Sequence, residues 1–541
     1  MKVHRRTLVA AAATGLLATL LPLGNPSAGA APTGASAGGG IAWGACPEGS
    51  FYAEVGLDCA TIPVPLDYDR PGGAQITLAL TRRVHTSPDS DYQGILLMNP
   101  GGPGGSGTFM PLVSYSFPDD LASTYDWIGF DPRGVGESTP ALSCDAGYLA
   151  PTRPDYTPTS AAVERAWLDR SKGYARACRT AGGRLLDHLT TLDTVRDMDR
   201  IRSASGQRRL NYYGYSYGTY LGQVYATQFP DRVRRMVLDS NVQASHVWEQ
   251  LNFDQDIAFE KVIQIWFRWV AHYDDVYHLG TTARAVEKKY YAALGDLATH
   301  PAGGTIGPAE FSDVFVNAGY SQWSWPTLGT TLSAWVNDAD PSNLLAIYGD
   351  GGGDSFLANY LAVECTDAPW THDLRTWRAK NTAYAAKAPF FTWGNAWFNA
   401  PCLTWPARSN QRLAVGSDEA PAILLIDQTL DAATPFAGSL EARRLFPKSR
   451  LIAVEGGTSH ATSPDGNACV DDQITAYLRD GSLTRRLHGG RADSVCAALP
   501  QPVPNELLGP AAPVSAAQAL AARAAHRARM SASWTLVGLG R

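Results

Sequence analysis

The sequence predicts an α/β fold: a mostly parallel sheet flanked by helices, with a large, mainly helical cap inserted into it. Between about residues 43 and 242, short apolar runs alternate with longer amphipathic segments, as in strands joined by helical crossovers. The alternation stops over residues 243–415, where helix-like segments rich in Trp and Tyr replace it. It returns over residues 416–499. We therefore predict a core in two parts, with the cap between them.

The N-terminus has the features of an export signal. A basic head precedes an apolar run over residues 8–23, and the small residues Ala28-Gly29-Ala30 follow it. We predict a signal peptide over residues 1–30, a flexible lead-in over residues 31–42, and secretion. A membrane anchor is the alternative, but the apolar run is short for a membrane span.

The opposite end of the chain differs in composition from the core. Residues 500–541 are Pro-rich and then Ala- and Arg-rich, which predicts a loosely docked helix or a disordered tail.

The whole chain has 45 Lys and Arg against 51 Asp and Glu, a net charge of -6. Such a surface does not attract nucleic acid or an anionic membrane, so we expect neither as a partner. The oligomeric state is not readable from the sequence, and a monomer is our expectation.

Eight cysteines in a chain expected to be exported predict disulfides. There is no CxxC pair and no histidine clustered beside a cysteine, so no metal site is expected. The simplest connectivity joins neighbours along the chain, namely Cys46 with Cys59, Cys144 with Cys178, Cys365 with Cys402, and Cys469 with Cys496.

Six short apolar runs are the predicted strands, at residues 94–98, 127–130, 210–213, 235–238, 422–426 and 451–454. Predicted helices include residues 219–229, 259–273, 282–297 and 471–478. The segment after the second strand, residues 129–138, lacks what a dinucleotide-binding loop needs. We expect it to support the floor of the site, with Arg133 paired with a buried carboxylate.

The central chemical motif is Gly214-Tyr215-Ser216-Tyr217-Gly218, between a predicted strand and a predicted helix. A strand-to-helix turn this tight needs small neighbours and exposes the central hydroxyl. It also places Ser216 at a helix N-terminus, where backbone N–H groups favour developing negative charge. Residues 34–38 match the same pattern without these flanks, so we treat that copy as chance. We predict Ser216 as a nucleophile.

A glycine-rich loop follows the strand predicted at residues 94–98. In a serine hydrolase with this chain order, the loop gives one backbone N–H to the oxyanion hole, and the residue after the nucleophile gives the other. We predict Gly101 or Gly102 as the loop donor and Tyr217 as its partner. A plain turn and a phosphate-binding loop are alternatives, although the latter lacks its Gly-Lys-Ser/Thr.

Serine needs a base, and the base needs an acid that orients it, here in the order Ser, Asp or Glu, His. His460 follows the strand predicted at residues 451–454, in a loop rich in Gly, Ser and Thr. We predict His460 as the base. We prefer Asp431 to Asp427 as its acid, because Asp427 ends the preceding strand; a turn-forming role for Asp431 stays open. No cofactor is needed for this chemistry.

The strings NPGGPGGSG, GFDPRGVGES, GYSYGTYLG, DQTLDAATP and GTSHA resemble those of the secreted bacterial tripeptidyl aminopeptidases, relatives of prolyl aminopeptidase in the α/β-hydrolase superfamily. The likeness covers about residues 43–499 and is weakest in the cap. It implies a serine exopeptidase that releases tripeptides from the free N-termini of peptides or proteins, with Ser216, Asp431 and His460 as its triad. It departs at Pro100, where prolyl aminopeptidases carry a His.

The resemblance also implies that acidic side chains of the cap bind the free α-ammonium group of the substrate. Glu364 and Asp367, in Ala362-Val363-Glu364-Cys365-Thr366-Asp367, are the candidates. A solvated helix residue is the alternative for Glu364. Four tryptophans are candidates either for subsites or for ordinary core packing, namely Trp323, Trp325, Trp393 and Trp397.

Two other functions compete with the peptidase. An esterase or lipase uses the same triad, and only the pocket distinguishes it. A non-catalytic binding protein on this fold is expected to have lost a member of the triad, and here all three candidates are present. A dehalogenase would need Asp at position 216.

Overall fold

A ten-stranded sheet forms the centre of the structure. The computed structural model describes residues 40–349 and 353–507, so the predicted signal peptide, most of the lead-in and most of the tail lie outside it. Within these residues the strands are β1 (Gly44–Ala45), β2 (Asp58–Pro65), β3 (Gln75–Arg83), β4 (Ile95–Asn99), β5 (Asp126–Phe130), β6 (Leu210–Tyr215), β7 (Val233–Asp239), β8 (Leu424–Gln428), β9 (Arg450–Glu455) and β10 (Ser494–Ala497).

The strands lie in the order β1-β2-β3-β5-β4-β6-β7-β8-β9-β10. From β5 to β10 every neighbouring pair is parallel, whereas β1, β2 and β3 add antiparallel pairs at one side. The predicted mostly parallel sheet is confirmed, and the six predicted strands correspond to β4 to β9. Strands β1, β2, β3 and β10 were not predicted.

Helices cover both the sheet and the cap. Those of the core are α1 (Phe51–Glu54), α2 (Asp119–Ala122), α3 (Ala161–Gly182), α4 (Thr191–Ala204), α5 (Tyr217–Gln228), α15 (Ala437–Leu445) and α16 (Ala468–Asp480). Those between β7 and β8 are α6 (Glu249–His272), α7 (Asp274–Tyr277), α8 (Ala283–Asp296), α9 (Pro308–Tyr320), α10 (Trp325–Asp338), α11 (Ser342–Tyr348), α12 (Ser355–Asp367), α13 (Leu374–Ala385) and α14 (Thr392–Asn399). The helical character predicted for the inserted segment is confirmed.

The central strands are buried on both faces, as parallel strands covered by helices are. In β4, Ile95 and Leu97 pack into one apolar cluster with Tyr212, while Leu96 and Met98 pack into a second cluster on the other face. The cap has an apolar cluster of its own, which includes the fully buried Trp266 and Trp325. Ala432 and Ala433, from the loop after β8, belong to this cap cluster. The cap therefore packs directly on the loop that carries Asp431.

Disulfides join the cysteines in the four pairs that their order predicted: Cys46–Cys59, Cys144–Cys178, Cys365–Cys402 and Cys469–Cys496. The third pair attaches α12 to the end of the cap. The first residues of the predicted tail also contact the cap, because the indole N–H of Trp269 donates to the carbonyl of Pro502 at 2.8 Å. No helix in the portion described is both long and apolar enough to span a membrane.

Arg133 forms the buried ion pair that the sequence predicted. Its guanidinium donates to both carboxylate oxygens of Asp197 on α4, each at 2.7 Å, and both side chains are almost completely buried. Further guanidinium N–H groups donate to the carbonyls of Pro65, Leu66 and His188. The pair therefore ties the loop after β5 to α4 and to the end of β2.

Replacing Asp197 with Ala should lower the free energy of unfolding by about 3–5 kcal/mol, because it leaves the Arg133 charge buried without its partner. A urea titration followed by tryptophan fluorescence measures the change. Asp187→Ala is the control, since the Arg179–Asp187 pair is partly exposed and should contribute about 1 kcal/mol or less. Equal effects of the two substitutions would contradict a structural role for the buried pair.

Candidate active site

Ser216 occupies a sharp turn between β6 and α5. Its backbone dihedrals are φ 55° and ψ −125°, a left-handed conformation that non-glycine residues rarely adopt. The side chain is half-buried, whereas its neighbours in the motif are buried. The turn therefore presents the Ser216 hydroxyl at the carboxyl edge of the sheet, as the sequence predicted.

The glycines of the motif are required by close backbone contacts. A Cβ atom at Gly214 would lie 2.4 Å from the carbonyl oxygen of Gly218. A Cβ atom at Gly218 would lie 2.7 Å from the carbonyl oxygen of Asn99, at the end of β4. Both distances are shorter than any van der Waals contact, so larger residues at either position would force the turn apart.

The glycine-rich loop after β4 packs directly against this turn. A Cβ atom at Gly101 would lie 2.6 Å from the Tyr215 carbonyl oxygen and 2.8 Å from Ser216 Cβ, and the φ of Gly101 is +100°. The N–H of Gly101 donates to the side-chain oxygen of Asn99 at 2.9 Å, so it is already used. Gly102, in contrast, lines the cavity beside Ser216.

Tyr217 is the first residue of α5, and the N–H groups of a first helical turn have no acceptor within the helix. Like Gly102, Tyr217 lines the cavity beside Ser216. Because both residues line this cavity and the N–H of Gly101 is bonded to Asn99, Gly102 and Tyr217 are better placed than Gly101 to donate backbone N–H groups to an oxyanion.

The structure brings His460 and Asp431 together. Nδ1 of His460 lies 2.8 Å from one carboxylate oxygen of Asp431 and 3.0 Å from the other, and both residues are buried. A carboxylate only accepts hydrogen bonds, so Nδ1 carries the hydrogen and Nε2 is left to accept a proton. The carboxylate also accepts the N–H groups of Ala433 and Thr434, at 2.8 and 2.9 Å, which fix its orientation.

Two residues connect the imidazole with the cavity of Ser216. Tyr320 and Thr434 line that cavity. The Tyr320 ring meets the His460 ring edge-on, with centroids 5.8 Å apart, and Thr434 Oγ1 lies 3.3 Å from His460 Nδ1.

The Ser216 hydroxyl has no hydrogen-bond partner among residues 40–349 and 353–507. Hydrogen bonds between a catalytic hydroxyl and its base commonly tighten only when substrate binds.

Asp427, the other candidate acid, has a different partner. Its carboxylate accepts a hydrogen bond from Ser439 Oγ at 2.6 Å. Burial, reinforced by the nearby charge of Asp431, raises the pKa of Asp427 well above its usual range. Of the two aspartates, the fold brings Asp431 to the imidazole.

Asp239, at the end of β7, is a residue of the candidate site that the sequence analysis missed. Its carbonyl oxygen accepts the N–H of Ser216 at 3.1 Å. Its carboxylate accepts the N–H and the hydroxyl of Ser463, at 2.8 and 2.6 Å, in the loop that carries His460. Burial raises the pKa of Asp239 to about 6, and the Ser463 hydrogen bonds partly oppose that shift. Its position directly after a predicted strand was the available signal.

The cap closes the cavity over Ser216. Phe356, Tyr360 and Glu364, on successive turns of α12, line it together with residues of α6 and α9. Glu364 is fully buried, and Asn252 Nδ2 donates to its carboxylate at 3.3 Å. Burial raises the pKa of Glu364 to about 8, although hydrogen bonds from Tyr360 and Asn252 partly oppose this. The cavity has a volume of about 30 Å³.

Asp367 does not line this cavity, contrary to its predicted role beside Glu364. Its carboxylate accepts the N–H of Thr191 at 2.9 Å and the hydroxyl of the same residue at 2.5 Å. Thr191 begins α4, so Asp367 satisfies a helix N-terminus. Burial raises its pKa to about 7.

None of the four candidate subsite tryptophans lines the cavity either. Trp325 and Trp397 are completely buried, Trp323 is exposed, and Trp393 lines a separate cavity in the cap. The tryptophan that does line the cavity beside Ser216 is Trp248.

The part of the chain that is described contains no group of three or more His, Cys, Asp or Glu side chains arranged to hold a metal ion.

Comparison with known proteins gives one family and several relatives. The family described as having the alpha/beta hydrolase fold matches residues 94–457. A tripeptidyl aminopeptidase of Streptomyces coelicolor is 40% identical over 479 residues, covering 86% of this chain and 87% of that protein. Carboxylesterase B of Mycobacterium tuberculosis is 33% identical over 85% of this chain and 91% of its own. The serine protease Hip1 of the same organism is 30% identical, over 82% of this chain and 89% of its own length.

Gly101→Ala should lower kcat/KM by about 100-fold or more, because the new Cβ would displace the Ser216 turn and a shift of about 1 Å costs this much. Hydrolysis of p-nitrophenyl acetate measures it. The control is Gly173→Ala, in α3, where a Cβ would meet nothing within 4 Å. Normal activity of the Gly101 variant would contradict the close packing of the loop on the turn.

Proposed function

Because the chain belongs to the α/β-hydrolase family and is a serine hydrolase related to tripeptidyl aminopeptidases, we propose that it is a secreted exopeptidase releasing short peptides, tripeptides in the first instance, from free N-termini. The observation that carries this proposal is Glu364, a buried carboxylate in the same cavity as Ser216. A carboxylate there suits a substrate with a free α-ammonium group. The four disulfides are consistent with secretion.

In the proposed reaction, Ser216 Oγ attacks the carbonyl carbon of the scissile peptide bond, and His460 Nε2 takes its proton. Asp431 holds the imidazole and stabilises its positive charge. The backbone N–H groups of Gly102 and Tyr217 receive the oxyanion, and the loss of one such donor costs about 3 kcal/mol of transition-state stabilisation. His460 then protonates the leaving amine, and water attacks the acyl-enzyme and frees Ser216.

Glu364 explains how the same site would recognise a free N-terminus. A cation a few ångströms away favours the ionised carboxylate, so a bound α-ammonium would oppose the effect of burial on the pKa of Glu364. The cavity of about 30 Å³ holds only a small part of a tripeptide. We therefore expect α12 and its neighbours to move away from the sheet edge when substrate enters.

An esterase is the second candidate. The relative named carboxylesterase B favours it, and a Ser-His-Asp triad cleaves esters as readily as amides. A chromogenic tripeptide anilide and a chromogenic acyl ester, compared at equal enzyme concentration, separate the two. Cleavage of esters only would replace the peptidase proposal.

Ser216→Ala should abolish both activities and leave the fold intact, because the side chain makes no hydrogen bond that the fold needs. Circular dichroism checks the fold, and labelling with a fluorophosphonate probe checks the nucleophile. Mass spectrometry of peptides with free and N-acetylated termini then tests the exopeptidase. We expect tripeptides from free termini only. Peptide release by the Ser216 variant would overturn the assignment of the nucleophile, and internal cleavage would overturn the exopeptidase.

Glu364→Gln should lower kcat/KM for a free tripeptide anilide by about 10- to 100-fold, the effect of losing a charge-assisted hydrogen bond. The ester, which has no ammonium group, is the control and should change less than about twofold. In the wild type, kcat/KM for the anilide should rise as the pH approaches 8, where Glu364 loses its proton. It should fall above that pH as the substrate amine, with a pKa near 8, loses its charge. A variant with an unchanged pH profile would contradict the role of Glu364.

A further inference from the structure

A second cavity, here called the cap cavity, lies between the cap helices and residues 155–157 of the core, and it shares no lining residue with the cavity of Ser216. Its volume is about 140 Å³, close to that of an engineered protein cavity of roughly 150 Å³ that binds benzene. Seven of its sixteen lining residues are aromatic, namely Tyr156, Tyr290, Tyr291, Phe390, Phe391, Trp393 and Phe398. The cavity therefore has the size and the surface to hold one ring or a compact apolar group.

The two cavities are separated by little more than one layer of side chains. Val316 lines the cap cavity and Tyr320, one helical turn later on α9, lines the cavity of Ser216. The Phe398 ring meets the Tyr360 ring edge-on, with centroids 5.0 Å apart, and each lines a different cavity. The cap cavity is thus a neighbour of the catalytic one and not an extension of it.

Polar groups at the wall lack partners. The hydroxyls of Tyr290 and Tyr291 are buried, and neither makes a hydrogen bond of acceptable geometry with a described residue. The neighbour of the Tyr290 hydroxyl is Ser312, whose own hydroxyl donates to the Pro308 carbonyl at 2.9 Å. Buried hydroxyls without partners are uncommon in proteins, so the fold leaves this part of the wall unsatisfied.

The cavity also carries unbalanced negative charge. Asp313 accepts a hydrogen bond from Tyr156 at 2.8 Å and pairs with Arg153. The same arginine pairs with Glu310 at 3.1 Å, so one cation serves two carboxylates. Asp155, a further lining residue, has no cationic partner within the described ranges. Burial raises the pKa of both Asp155 and Asp313, a sign that their charged forms are poorly solvated.

From these contacts we propose that the cap cavity binds a small organic ammonium with an aromatic or compact apolar body. Its positive charge faces Asp155 and Asp313, and its apolar part contacts the aromatic wall. The faces of tyrosine and tryptophan rings attract cations, with energies that grow when water is excluded. A neutral arene leaves Asp155 without a cationic partner, and an anion is repelled by both carboxylates.

The test uses the full chain and phenyltrimethylammonium as the probe, with tert-butylbenzene as its uncharged isostere, in isothermal titration calorimetry. We expect saturable binding of one cation per chain, at least tenfold tighter than the isostere. Asp155→Asn, which keeps the acceptor for the Thr157 N–H, should weaken the cation at least fivefold and leave the isostere unchanged. Asp187→Asn, at an exposed ion pair, is the matched control and should change nothing.

Location is tested with substitutions that fill one cavity or neutralise the other. Val316→Trp should abolish binding of the cation. If this variant melts at a lower temperature than the wild type, Leu294→Trp, at a half-buried lining residue, is used in its place and should abolish binding as well. Glu364→Gln should leave the affinity within twofold. Absence of saturable binding, equal affinity for the isostere, or a loss in Glu364→Gln with retention in the filled variants would overturn the proposal.

Discussion

The left-handed backbone of Ser216 is the constraint on which the site depends. The chain can hold that conformation only because its N–H is bonded to the carbonyl of Asp239, and because glycines allow three backbone segments to approach. Gly214 and Gly218 belong to the turn itself, whereas Gly101 comes from another strand end. The geometry therefore requires β4, β6 and β7 to be neighbours, and the sheet order provides this. The conformation of Ser216 thus depends on the local arrangement of three strands.

The same close packing connects the Ser216 turn with the loop that carries His460. Asp239 contacts the Ser216 turn through its backbone and the His460 loop through its carboxylate, and Ser240 Oγ accepts the N–H of Ala461 at 2.8 Å. The end of β7 therefore contacts both the Ser216 turn and the loop that carries His460. Asp431 orients the imidazole ring of His460, because the N–H groups of Ala433 and Thr434 hold its carboxylate in place.

Several carboxylates near the site are buried, and this has a cost in stability. Asp239 and Glu364 have native pKa values of about 6 and 8, above those of an unfolded chain near 4. Folding favours their protonated forms, so the stability that they contribute at low pH is lost as the pH rises through the native values. A cation bound beside Glu364 opposes that loss. Of these two acids, Glu364 has the higher native pKa, and it is the one that lines the cavity of Ser216.

Much of the fold could be predicted from the sequence alone. The parallel sheet, the helical cap, the four disulfide pairs and the turn at Ser216 follow from periodicity, cysteine order and glycine placement, because each depends on local geometry or on neighbours along the chain. The sequence also predicted the segment whose aspartate contacts His460, since strand ends at one edge of a sheet collect such residues.

The choices between close candidates were made only by the tertiary structure. Asp427 lies in β8 and Asp431 lies four residues later in the loop that follows it, and packing of that loop on the cap brings Asp431 to His460. Gly101 and Gly102 are adjacent, and a hydrogen bond to Asn99 occupies the first. Glu364 and Asp367 lie one turn apart on α12, and only the first faces the Ser216 cavity. Each choice rests on contacts between segments distant in the chain, which no local pattern records.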